Sequence, residues 1–297
     1  MMRVILFGTG AMSCLFAARL SGKADVAVVG TWAEAIESIR RKGILVEDSR
    51  GLQPFRVQAE YLGAKLKPGD LVIVLVKSWQ TAKVAPYVER CLNAGGLAVS
   101  LQNGLDNIEK LGKKAFPGTT EEGATLLGPG RIRIGGSGPT HMVAPDWAVE
   151  LLKEAGFECY RCSPKEADSL LWGKLCINCG INAITALLRV PNGELLKRSS
   201  AADLMEQAAT ECAAVARGAG IPLPFADAAA RVREVAEKTA ANRSSMLQDI
   251  TRGAPTECDA IYGAVVREGR RVEVEAPVNE TLWLLMRAAA GMVGDRF

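Results

Sequence analysis

Over the first 160 residues, short runs of β-branched apolar residues alternate with stretches whose apolar positions recur at helical spacing. The runs at 3–7, 25–29, 71–76 and 97–101 predict strands, and the helical stretches between them supply the crossovers of a doubly wound α/β sheet. The segment 43–61 reads as a small meander, turning at Asp48, Ser49, Arg50 and Gly51. Residues 132–134 and 157–160 predict two further strands, with the Gly- and Pro-containing stretch 135–139 as loop. From Ala167 onward the texture changes to long Ala- and Leu-rich helices, with one strand-like exception at 270–274. Two domains are therefore expected. Residues 1–165 form an α/β domain and residues 166–297 a mostly α-helical one, with Ser163 and Pro164 breaking the pattern at the boundary.

Gly8-Thr9-Gly10-Ala11-Met12-Ser13 falls where the first strand ends and a helix running to Leu20 begins, with Gly22 placed to cap it. In that context Gly8 permits a tight turn and Gly10 lets the backbone approach a pyrophosphate. The helix N-terminus at Ala11 and Met12 supplies N–H donors and a dipole that favours an anion. Ser13 stands where a third Gly or Ala is usual, and is small enough to keep the helix close. The N-terminal domain is thus expected to be a Rossmann domain that binds a dinucleotide. In such domains a carboxylate about 20 residues on holds the ribose 2′-hydroxyl of NAD. Here the chain reads Gly30-Thr31-Trp32, with no carboxylate to repel a 2′-phosphate, which favours NADP (NADPH) over NAD.

Charge narrows the partners further. The 36 basic and 33 acidic residues are spread along the whole chain, so no stripe suggests nucleic acid or a membrane surface, while a small anionic ligand is compatible with the net charge of +3. Gly8, Gly10 and Arg19 interrupt the apolar run at the N-terminus and no A-x-A-like cleavage site follows, so it reads as mature structure. No uninterrupted apolar stretch approaches the ~20 residues needed to cross a bilayer. A cytoplasmic location is expected, with the eight cysteines reduced and too sparse for a disulfide scaffold.

In the otherwise apolar segment 171–182, Lys174, Asn178 and Asn182 recur every four residues. On a helix they fall within about 80° of arc, with Thr185 following on the same side. One face thus presents an ammonium and two amides. A merely solvated face is the alternative, against which stands the poor helix propensity of Asn. A second polar cluster runs Ser244-Ser245-Met246-Leu247-Gln248-Asp249 and then Pro255-Thr256-Glu257-Cys258-Asp259. Read alone, Thr256 caps a helix and Glu257 favours the positive end of its dipole.

The chain resembles the ketopantoate reductases (2-dehydropantoate 2-reductases) over nearly its whole length. The N-terminal Gly-x-Gly-Ala-Met loop, Val76-Lys77-Ser78-Trp79-Gln80-Thr81, Leu101-Gln102-Asn103-Gly104-Leu105, Trp172-Gly173-Lys174 with Asn178 and Asn182, and both polar clusters follow in the family's order. The resemblance implies NADPH-dependent reduction of 2-dehydropantoate to pantoate, on the route to pantothenate and coenzyme A, with substrate in the cleft between the two domains. It implies that Lys174 is the catalytic lysine and Glu257 the carboxylate beside the reacting centre, with Asn178, Asn182 and Ser245 holding substrate. Asn103 would lie close to both nicotinamide and substrate, and Lys77 and Gln80 would line the adenosine side of the cofactor pocket. Thr31 departs from the family, whose members often carry an arginine there for the 2′-phosphate.

The chemistry agrees with the residue types. Hydride arriving at a ketone carbon leaves negative charge on oxygen, which an ammonium stabilises and then protonates. Amides and a serine bind polar groups without adding negative charge. Cys159-x-x-Cys162 and Cys176-x-x-Cys179 imitate a zinc ribbon, but their positions on a strand end and on the far side of the Lys174 helix read as small buried hydrophobes, and no metal is expected. His141, the single histidine, reads as structural. Two other readings stay open: reduction of another small branched 2-oxo acid, and a non-enzymatic dinucleotide-sensing regulator, against which the pairing of Lys174 with Glu257 argues. The assembly is left open to a homodimer.

Overall fold

The computed structural model describes residues 1–49 and 51–294, with side chains to residue 290. Its strands, in chain order, are β1 (Arg3–Phe7), β2 (Asp25–Gly30), β3 (Ile44–Asp48), β4 (Gly51–Phe55), β5 (Gln58–Tyr61), β6 (Gly69–Val74), β7 (Leu92–Ser100), β8 (Ala115–Thr120), β9 (Ala124–Gly128), β10 (Arg131–Ile134), β11 (Thr140–Met142) and β12 (Cys159–Arg161). The helices are α1 (Ala11–Leu20), α2 (Ala33–Lys42), α3 (Thr81–Arg90), α4 (Asn107–Leu111), α5 (Asp146–Glu154), α6 (Pro164–Leu188), α7 (Ser199–Gly218), α8 (Ala228–Lys238), α9 (Ser245–Thr251), α10 (Cys258–Arg271) and α11 (Pro277–Gly294). The fold is α/β, a Rossmann-type sheet followed by a mostly helical region.

The chain forms two compact units. Residues 1–102 and 107–167 make the first, and residues 103–106 and 168–297 the second. In the first, the main sheet runs in the order β12-β11-β8-β7-β6-β1-β2-β5. The strands from β8 to β5 in that order are parallel, and β11 turns antiparallel against β8. Strand order reverses at β1, and open α/β sheets take their ligands beyond the carboxyl end of such a switch point. Gly8 begins there. Strands this deep in a sheet read as continuous Val, Ile and Leu because both faces are covered. Val4 and Leu6 pack with Leu15, Phe16 and Leu20 of α1, whereas Ile5 and Phe7 join Val84 and Val88 of α3 on the opposite face.

The expected meander is divided between two sheets. β3 and β4 pair antiparallel and join β10 and β9 in a separate four-stranded sheet, while β5 pairs with β2 in the main one. Arg50, expected within that turn, lies outside the described residues. Ser163 and Pro164 start a helix where a break was expected: the Glu166 carboxylate accepts the Ser163 N–H at 2.8 Å, and the Ser163 hydroxyl accepts the Glu166 N–H at 3.3 Å. This is a capping box, with Pro164 at the first helical position where its missing N–H costs nothing.

In the second unit α6 is the core helix. Trp172, Leu175, Cys176 and Cys179 pack with Met205, Ala208, Ala209 and Cys212 of α7 and with Ile261, Tyr262 and Val265 of α10. α6 is the one described helix long and apolar enough to span a membrane, although Lys174 keeps it from being an uninterrupted apolar stretch, and 67% of its most apolar window is buried inside the protein. The strand expected at 270–274 is absent. α10 continues to Arg271, and the chain then turns through Glu273 in the left-handed region (φ 58°) to return the Val274 N–H to the Gly269 carbonyl at 2.8 Å.

Candidate functional site

The glycine loop occupies the turn between β1 and α1. Gly8 has φ +132°, and a Cβ there would collide with the Ser13 hydroxyl and come within 3.2 Å of the Leu75 carbonyl. Only glycine fits that position. Gly10 precedes α1 with no side-chain cap, the first turn holds no acidic residue, and a Cβ on Gly10 would meet nothing within 4 Å. The N–H groups at Ala11 and Met12 therefore have no intrahelical acceptor, and the approach to them is open, as an anion site requires. Ser13 is wholly buried against Gly8, in keeping with the close packing expected of the third small residue. These features fit a dinucleotide pyrophosphate.

Thr31 lies exposed just past β2, at the start of α2, and Glu34 is the acidic residue of that helix's first turn. Lys77 and Gln80 follow β6 and are half-buried. Sequence reasoning assigned no role to Gln102, which organises this region. Its buried amide donates to the Val76 carbonyl (2.9 Å) and the Thr81 hydroxyl (2.8 Å), while accepting from Ser100 (2.9 Å). Thr81 in turn donates to Asn107 at 2.9 Å. A satisfied buried network of this kind rigidifies the backbone on which Lys77 is carried.

The remaining candidates belong to the second unit. Lys174 and Asn178 are half-buried and Asn182 and Thr185 buried on successive turns of α6. Asn182 is 5% exposed, and its amide nitrogen has no hydrogen-bond partner among the described residues. An unsatisfied donor at that depth costs about 1–3 kcal/mol unless something accepts from it. Thr185 donates to the Ile181 carbonyl at 2.8 Å and lies 2.7 Å from the Ser244 hydroxyl. Ser244 caps α9 by accepting the Leu247 N–H at 3.1 Å. Thr185 thus pins to α6 the helix whose first residue is Ser245.

Glu257 immediately precedes α10 and makes no capping bond with its side chain. Its carboxylate is buried, at 6% exposure, and accepts the Asn103 amide at 3.3 Å across 154 residues of sequence. The Thr256 hydroxyl, without a hydrogen-bond partner among the described residues, does not cap the helix either. Asn103 is held there by the loop that bears it: the Leu105 N–H donates to the Ala260 carbonyl at 3.1 Å, and Arg267 pairs with Asp106 at 2.7 Å. Gly104 (φ +78°) lies so close to Ala260 that a Cβ would meet its backbone. Asn192 is a further polar residue that sequence reasoning passed over. It is buried, donates to Thr239 at 2.9 Å, and leaves its amide oxygen without a partner among the described residues. The Asn-Gly turn that carries it was the available signal.

The four cysteines of the imitation zinc ribbon are free and buried. Burial raises the Cys159 thiol to about 12 and Cys162 to about 11. Among the described residues no group of three or more His, Cys, Asp or Glu is arranged to hold a metal ion. His141 stacks on Tyr160 with ring centroids 5.3 Å apart.

Residues 4–147 match the family model described as Ketopantoate reductase PanE/ApbA, and residues 166–290 match Ketopantoate reductase PanE/ApbA C terminal. A 2-dehydropantoate 2-reductase of Halobacterium salinarum is 34% identical, over 97% of this chain and 99% of that protein. A PanE/ApbA family ketopantoate reductase from Ralstonia eutropha has a similar structure, with a TM-score of 0.90 and 27% identity over 99% of this chain and 100% of that one. D-mandelate dehydrogenase, solved with NADH, is similar at a TM-score of 0.89 and 25% identity, over 98% and 100%. Matched in both halves and aligned along nearly its whole length, the chain belongs to the ketopantoate reductase family.

Proposed function

We propose that this chain reduces 2-dehydropantoate to pantoate with NADPH. The observation that carries the reading is the meeting of Asn103 with the buried Glu257 in the unit whose core helix presents Lys174, Asn178 and Asn182. Residues 1–165 hold the dinucleotide in this reading: Gly8, Gly10, Ala11 and Met12 at the pyrophosphate, Thr31 at the ribose, and Lys77 and Gln80 on the adenosine side. When bound, the dinucleotide supplies the hydride. Residues 166–297 hold the 2-oxo acid. Lys174 stabilises the developing alkoxide and gives it a proton, a charge complementarity realised most fully at the transition state. Asn178, Asn182 and Ser245 donate to the acid's oxygens. The open N–H of Asn182 is suited to that. Glu257 accepts from a substrate hydroxyl and from Asn103, holding that amide in place. The enzyme acts in the cytoplasm in this reading, where its eight free thiols stay reduced.

The likeness to D-mandelate dehydrogenase supports a second reading, in which the same residues reduce another small 2-oxo acid. Steady-state rates on a panel of 2-oxo acids, with NADPH and NADH in turn, separate the two. The first reading expects 2-dehydropantoate with NADPH to give the highest kcat/KM. A bulkier or aromatic 2-oxo acid at the top would establish the second.

A further inference from the structure

Asn178 and Asn182 occupy consecutive turns of α6, and the hydroxyl of Tyr262, from α10, is lodged at the backbone between them. It accepts the Ala183 N–H at 2.7 Å and lies 3.0 Å and 3.1 Å from the carbonyl oxygens of Cys179 and Asn178, where its own proton is donated. In a regular α-helix the acceptor for Ala183 would be the Cys179 carbonyl. A side chain inserted at such a rung bends the helix locally. The phenol serves both partners of that rung, as acceptor to one and donor to the other.

Tyr262 is wholly buried, and core packing alone gives no reason for its oxygen, since phenylalanine fills nearly the same volume without a polar atom to satisfy. What the hydroxyl adds is a defined geometry for the turn 178–183. Both amides depend on that turn, and Asn182, buried with an unpartnered nitrogen, depends on it most. Glu257 lies just before the helix that carries Tyr262, so one side chain relates the buried carboxylate to the amides.

We infer that Tyr262 is a positioning residue for the 2-oxo acid: its hydroxyl sets the aim of Asn178 and Asn182 and acts through them without touching substrate. The inference rests on the reductase reading. Its test is the full-length Tyr262→Phe chain in steady-state kinetics, with a thermal melt alongside. The KM for the 2-oxo acid is expected to rise about tenfold or more, while kcat and the KM for the dinucleotide stay within about twofold, the pattern of lost ground-state binding. A lower melting temperature with an unchanged KM for the 2-oxo acid would overturn the inference, as would a proportional loss in all three constants. If Tyr262→Phe does not fold, Tyr262→His and Tyr262→Leu replace it. The histidine chain, which keeps a hydrogen-bonding edge, must then show the lower KM for the 2-oxo acid, and equal values overturn the inference. Inactivity of the wild-type chain on every 2-oxo acid sinks the reductase reading itself. An active wild type with an unaltered Tyr262→Phe sinks only the role of Tyr262.

Discussion

Gly104→Ala tests whether the loop carrying Asn103 must dock closely on α10. The residue has φ +78°, where a side chain costs about 1–2 kcal/mol. The new Cβ would stand 2.7 Å from the Ala260 carbonyl carbon and 2.8 Å from its Cβ, with the carbonyl oxygen nearer still. Ordinary carbon contacts are about 3.5–4.0 Å, so the loop must retreat by roughly 1 Å. That retreat breaks the 3.1 Å bond from Leu105 to Ala260, worth about 0.5–1.5 kcal/mol, and carries Asn103 out of reach of Glu257, already 3.3 Å away. The local loss is about 1.5–3.5 kcal/mol, while the helical core is untouched. Catalytic geometry suffers more, because a misplacement of about 1 Å can cost 10²-fold. The expected outcome is a folded chain whose kcat/KM for the 2-oxo acid falls about 10²-fold. Gly112→Ala is the control: at φ +89° it carries the same backbone strain, but its Cβ meets no atom within 4 Å. If both variants show the same kcat/KM, close docking of the loop is irrelevant to the reaction and the reasoning fails.

Lys174→Ala should fold and bind dinucleotide but lose about 10²- to 10⁴-fold in kcat, and near-normal turnover would remove the lysine from the mechanism. Glu257→Ala should impair substrate binding or turnover; if kinetics are normal and the melt shows only a loss of about 0.3–1 kcal/mol, the carboxylate merely favours its helix end. NADPH should be preferred over NADH by about tenfold to a hundredfold in kcat/KM, roughly 1.4–2.7 kcal/mol, and Thr31→Asp should invert that order. An unchanged ratio would show that the 2′-phosphate is read elsewhere. Burial pushes the Cys14 and Cys159 thiols up to about 12 and Cys162 to about 11, so thiolate, the reactive form, is scarce below those values and grows as pH rises toward them. At pH 8 a disulfide reagent should label the native chain slowly and at the half-buried Cys91 first, and rapid labelling of several thiols would contradict the burial described.

Local pattern was enough wherever one element's neighbours lie close in sequence. β1, the glycine loop and α1 form a single strand-turn-helix that motif and pattern together revealed, and Lys174, Asn178, Asn182 and Thr185 share one helix, so spacing revealed their common face while the family resemblance supplied their roles. It misled where tertiary context decides. Val272 and Val274 are good strand formers, yet the turn at Glu273 returns the chain to Gly269, leaving no extended neighbour to pair with. The segment 43–61 alternates like a meander, but which sheet each strand joins depends on β10 and β2. The roles of Gln102 and Tyr262 were invisible for the same reason: each is a buried polar side chain whose partners come from other elements. Read alone, Glu257 looked like a helix-end acid; the family resemblance gave it a place beside the reacting centre, and the structure adds the Asn103 amide that donates to it.

The most direct measurement is the product formed from 2-dehydropantoate and NADPH by the wild-type chain. One pantoate should appear for each NADPH oxidised, and both rates should fall about 10²- to 10⁴-fold in Lys174→Ala while dinucleotide binding persists. Tight dinucleotide binding with no reduction of 2-dehydropantoate or any other 2-oxo acid, with either dinucleotide, would contradict the account and leave a dinucleotide sensor in its place.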